Sequence, residues 1–89
     1  MSTYFVECYW PSVDAVRLSE VVDRLATDER TDIAWISSIL IPDDEIVLCL
    51  ATGPSRDAIR SSARRAGLPA ERVVPCVSVS PSTKARDGR

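Results

Sequence analysis

A chain of 89 residues with a formal net charge of −2 is one domain, and it lacks the basic surface that draws a protein to nucleic acid. No apolar run reaches the roughly 18 residues that mark a membrane span, and the N-terminus lacks the basic-then-apolar pattern of a secretion signal. There is no histidine, the commonest base at neutral pH, and the three cysteines lack the CxxC spacing of a metal or redox motif and form no disulfide framework.

These features place the protein in the cytoplasm with reduced thiols. A domain of this size buries only about 60% of its unfolded surface, so it gains from a partner.

Thr3 to Trp10 reads as the first strand, with Tyr4, Val6, Cys8 and Trp10 on one face and Phe5, Glu7 and Tyr9 on the other. Pro11 ends it, because proline cannot donate to a ladder. Residues 12 to 27 read as a helix on the spacing of Leu18, Val21, Val22 and Leu25, with Ser12 and Ser19 as candidate caps. The polar run Asp28 to Asp32 connects it to the next element.

Ile33 to Ala51 predicts a β-hairpin: two β-branched, aliphatic runs around Pro42-Asp43-Asp44. Strict alternation puts Ile33, Trp35, Ser37, Ile39 and Ile41 on one face, and Ala34, Ile36, Ser38 and Leu40 on the other. The second strand divides into Ile46, Leu48, Leu50 and Val47, Cys49, Ala51. Neither face is polar, so both need cover: one from the chain's own helices, the other from a partner subunit or a small apolar ligand. Leu48, in a central strand, is expected to be buried in the core, where an aspartate would prevent folding.

A second helix is predicted from Ser55 to Ala66, with Ser55 as N-cap and Asp57 at its positive end. Ile59, Ala63 and Ala66 mark its buried side, and Arg56, Arg60, Arg64 and Arg65 read as a solvated face. Gly67-Leu68-Pro69 stops it: glycine can take the left-handed cap, and proline forbids continuation. Val73 to Ser80 reads as the last strand, with Pro75 demanding an edge position. Residues 81 to 89 read as a flexible C-terminal tail, which makes 1 to 80 the folded unit.

The order βαββαβ predicts an α+β, ferredoxin-like fold with a four-stranded antiparallel sheet ordered 4-1-3-2. Helices would cover one face of the sheet, and the protein would dimerise through the other.

The chain also resembles the small nickel-binding-protein family of bacterial ferredoxin-like dimers. The resemblance is carried by Phe5-Val6-Glu7, by Trp35-Ile36-Ser37-Ser38 with Pro42-Asp43-Asp44, by Cys49, and by Pro54-Ser55 through Ala66-Gly67-Leu68-Pro69-Ala70-Glu71-Arg72-Val73. It implies a homodimer with a site between open sheet faces and, in some members, bound nickel. Glu7 and Cys49 match the family. Ile39, Thr52 and Ser62 stand where members tend to have tyrosine, glutamate and histidine, which implies a weakened or lost metal site.

The candidate metal ligands are therefore Glu7, Cys49, Cys8 and Cys76. The cysteines fall on three strands that the predicted order makes adjacent, and thiolates select soft metals and are accepted by nickel. Each has a plainer reading: free cysteine usually behaves as a small buried hydrophobe, and Glu7 can pair with an arginine. Two other functions compete with metal or small-ligand binding. One is a small isomerase or cofactor-free oxygenase with Glu7 as its base, which rests on fold analogy. The other is a structural interaction module. Serine as a nucleophile has no histidine to activate it.

Overall fold

The computed structural model describes residues 1–29 and 31–81. Its elements are β1 (Ser2–Tyr9), α1 (Ala15–Ala26), β2 (Ala34–Ile41), a 3-10 turn (Pro42–Asp44), β3 (Ile46–Gly53), α2 (Arg56–Ala66) and β4 (Ala70–Pro75). The four strands form one antiparallel sheet ordered β2-β3-β1-β4, the predicted ferredoxin-like arrangement. Most of the expected tail, residues 82–89, lies outside the described residues, as does Arg30 in the connector before β2.

The core lies between the helices and one sheet face. Tyr4, Val6 and Cys8 of β1 and Val47, Cys49 and Ala51 of β3 point into it. Leu18, Val21 and Leu25 of α1 and Ile59, Ala63 and Ala66 of α2 meet them from above. Leu48 alternates to the opposite side of β3 and is only half-buried, so the expectation that it belongs to the core is corrected.

Local chemistry sets the element ends. Asp14 caps α1, accepting a 2.8 Å hydrogen bond from the Arg17 N–H. Neither serine candidate takes that place; Ser12 itself sits in the left-handed region at φ 64°. Ser55 caps α2 as expected, accepting from the Ala58 N–H at 3.1 Å. Gly67 closes α2 at φ 87°, and the Leu68 N–H reaches back to the Ala63 carbonyl at 2.9 Å. In the hairpin turn, Glu45 is left-handed and its N–H donates to the Pro42 carbonyl at 3.1 Å.

Two expectations about the strands change. The register of β2 against β3 shifts between Trp35 and Ser37. This bulge puts Trp35 and Leu40 against the core, while Ile36 and Ile39 stay exposed. Alternation without a bulge had assigned Trp35 and Ile39 to one face. The last strand begins three residues earlier than predicted and ends at Pro75 rather than Ser80. The cap on α2 leaves only a short connection, and pairing with β1 ends one residue past the strand, where the Cys76 N–H donates to the Thr3 carbonyl at 2.9 Å. Pro75 lies on an edge strand, as its missing N–H requires.

Candidate functional site on the sheet

Two groups of candidate side chains lie on opposite sides of the sheet. On the helix side, Cys8 and Cys49 sit on adjacent strands, diagonal to each other in a register that pairs Val6 with Cys49 and Cys8 with Val47. Both are free thiols, 0% and 1% exposed, and each shifts the other's acidity. The Ser38 hydroxyl of β2 lies 3.2 Å from the Cys49 sulfur and extends the chain to three groups.

That arrangement separates the two thiols in acidity. Cys8 is held well above its ordinary value, first by the hydrogen bond with Cys49, then by burial, and then by the negative charges of Cys49, Glu7 and Glu71. Cys49 is lowered, first by the Cys8 hydrogen bond and then by that of Ser38, against the opposing effect of burial. The two thiols therefore titrate as one coupled pair, whose first proton leaves more readily than its second.

Glu7 faces the other way, on the open side of β1 with Phe5 and Tyr9. Arg72 of β4 stands directly opposite it in the ladder, and their side chains form an ion pair at 3.6 Å. Cys76 lies one position beyond β4, next to Thr3 at the far end of β1 from Cys8. One chain thus brings Cys8 and Cys49 together and keeps Glu7 and Cys76 apart from them and from each other.

The donor chemistry follows from that placement. Among the described residues, no three His, Cys, Asp or Glu side chains gather where they could hold one ion. Two buried thiols without imidazole do not fit a nickel ion, which takes nitrogen and sulfur donors in fuller sets.

The open side of the sheet is mainly apolar. Phe5, Leu48 and Leu50 are half-buried there, Ile39 is 57% exposed, and together with Ser37 and Cys49 they line a shallow hollow of about 160 Å³. A larger hollow of about 400 Å³ lies at the helix ends, among Arg24, Thr27, Asp28, Glu29, Arg65 and Ala66. Its Arg65 is already paired with Asp28 at 3.2 Å, and its Arg24 donates to the Ala66 carbonyl at 3.3 Å.

Sequence reasoning did not supply the surroundings of three residues. Arg72 is the partner of Glu7, a pairing legible only once the β1–β4 register is known. Ser38 bonds Cys49 because the bulge turns it inward. Ser62 of α2, named above as standing where family members tend to have histidine, is 1% exposed with no hydrogen-bond partner among the described residues; its burial beside Ile59, Ala63 and Ala66 was not read from the sequence.

The family model described as "Nickel responsive protein SCO4226-like" matches residues 8–85. The chain belongs to this family. Among solved structures, it is similar to that of SCO4226 from Streptomyces coelicolor A3(2), with a TM-score of 0.79 at 17% identity over 89% of this chain and 100% of that one. At that identity the likeness shows the fold. No curated protein matches the chain. Among the described residues, no helix of this SCO4226-like protein is long and apolar enough to cross a membrane.

Proposed function

We propose that this SCO4226-like chain is a non-catalytic, cytoplasmic homodimer whose helix-free sheet faces pack together and enclose a space for a metal ion or small apolar ligand. The observation that carries this reading is the uncovered side of the sheet, where Phe5, Ile39, Leu48 and Leu50 form one apolar patch. Patches of this kind are uncommon on monomers and mark interaction surfaces. The family description supplies the link to nickel.

In this reading nickel affinity is weak, because one chain offers scattered donors. Glu7 would contribute from the shared side, where Arg72 already neutralises it. Cys49 and Cys8 lie behind the sheet, away from the shared side, and Cys76 lies at its margin, so the thiols of neither copy converge on the enclosed space as the chain stands. Ligands of this type bind less well as the thiols become protonated.

Native mass determination with elemental analysis, followed by calorimetric titration with nickel, tests the proposal. A dimer that binds nickel weakly, and loses that binding in Cys49→Ser, supports it. Tight binding that survives Cys49→Ser would place the ligands elsewhere, with Asp43 and Asp44 the next carboxylates to change. A dimer without any binding would leave the interaction-module reading.

A further inference from the structure

Cys8 and Cys49 are both closed inside the core, and neither is in a disulfide. They stand on the two central strands, where Val6 faces Cys49 and Cys8 faces Val47. That register puts both on the helix side and diagonal to each other. Diagonal neighbours have backbones roughly 7–8 Å apart, a gap that two sulfurs reaching for one atom between them can span. Ser38 of β2 is paired with Cys49 in the ladder, and its hydroxyl comes to 3.2 Å from the Cys49 sulfur.

The number of donors decides which ion suits the pair. Thiolates select copper(I), zinc and iron–sulfur clusters. Structural zinc and the clusters take four protein ligands. Among the described residues no third Cys, His, Asp or Glu joins these two, and the rest of the buried set is apolar apart from the hydroxyls of Tyr4 and Ser62. Copper(I) has a filled d shell and is satisfied by two soft sulfurs in a line.

We propose that Cys8 and Cys49 form a buried two-coordinate site for copper(I), with Ser38 as its positioning residue. Each sulfur exchanges its proton for a bond to the monovalent ion, and two protons leave to solvent. The product carries one negative charge, because two thiolates meet one positive ion. A net charge in an apolar core is costly. Ser38 offsets part of that cost by donating its hydroxyl to the Cys49 sulfur, and hydrogen bonds to a charged acceptor are the stronger kind. Both sulfurs are closed to solvent, so the ion reaches them through local opening of the sheet, and loading and release are slow. The site lies behind the sheet face used in the dimer reading and is complete within one copy, so it does not depend on that reading.

The test is anaerobic competition for copper(I) against the chromophoric chelator bicinchoninate. The full-length chain is unfolded in urea and refolded with the ion, which removes slow entry as an obstacle. The wild type should take up one copper per chain. Cys8→Ala and Cys49→Ala should each lose that uptake while keeping a cooperative melt, since a buried cysteine packs as a small hydrophobe. Cys76→Ala should retain it, because Cys76 lies beside Thr3, at the far end of β1 from Cys8. Ser38→Ala should bind about tenfold more weakly, the loss of one hydrogen bond to a charged sulfur. X-ray absorption of copper-loaded Cys76→Ala, whose remaining thiols are Cys8 and Cys49, should show two sulfur neighbours and no nitrogen or oxygen; this measurement decides even where an alanine variant fails to fold. No uptake by the refolded wild type, uptake that survives Cys8→Ala, uptake lost in Cys76→Ala, or a copper shell containing nitrogen or oxygen would each overturn the site. Full affinity in Ser38→Ala would overturn the role given to that hydroxyl.

Discussion

Cys8 and Cys49 are the residues at which this chain departs most from a simple core. Each is small enough to behave as a hydrophobe, yet the two shift each other's acidity, and the Ser38 hydroxyl stands beside Cys49. The pair has a consequence for stability. The Cys8 pKa is raised above its ordinary 9.0, so the folded state holds a proton that the unfolded state releases above that pH. The stabilisation is complete below about pH 9 and declines as pH rises beyond it. Cys49 works in the opposite sense: its lowered pKa stabilises the fold above the ordinary value, and that contribution fades as pH falls through the folded one. Above pH 9 the Cys8 effect remains, with a slope of about 1.4 kcal/mol per pH unit for one retained proton. Urea unfolding between pH 8 and 10.5 should show that slope in the wild type and a flatter one in Cys8→Ala/Cys49→Ala. Equal slopes would mean that the pair does not share a proton in the folded state.

At the scale of elements, the connection after α2 is the most tightly determined part of the chain. Gly67 at φ 87° lets the helix end in a left-handed cap, and Leu68 folds back into the core at 2% exposure. Space is not the constraint, since a Cβ at Gly67 would come no closer than 3.9 Å to Arg24. Backbone conformation is, so Gly67→Ala should cost about 1 kcal/mol, read as a lower urea midpoint at an unchanged slope. An unaffected midpoint would show that the cap rearranges freely. This element was legible from Gly67-Leu68-Pro69 because a cap is local chemistry. The bulge in β2 was not legible: nothing in Trp35-Ile36-Ser37 signals an extra residue, and its position depends on how Trp35 meets the core. The cap of α1 falls between these cases, since Asp14 was available to the eye but the two serines competed with it.

For the whole molecule, the decisive feature is that the sheet has a helix side and an open side, and that β3 contributes apolar residues to both. Two neighbouring substitutions separate them. Val47 is 0% exposed among the helices, so Val47→Asp buries an unpaired carboxylate and should abolish cooperative folding. Leu48 faces the open side, so Leu48→Asp should leave a folded chain that no longer self-associates. Light scattering with thermal melts checks both, and a Leu48→Asp variant that fails to fold while Val47→Asp folds would reverse the assignment of faces.

The sequence by itself determined the element order, the hairpin, the helix stop at Gly67 and the edge position of Pro75, and from these the sheet order. All of them follow from short-range rules: side-chain periodicity, a left-handed glycine, a missing N–H, and the handedness of crossovers. The tertiary structure alone decided which face of each strand is buried, because both faces of β3 are apolar and alternation cannot choose between them. It also decided which candidate ligands meet. Glu7 and Cys8 are neighbours in sequence but lie on opposite sides of the sheet, as successive strand residues must. Cys8 and Cys49 are far apart in sequence but become neighbours, because the β1–β3 register sets them diagonally on one face.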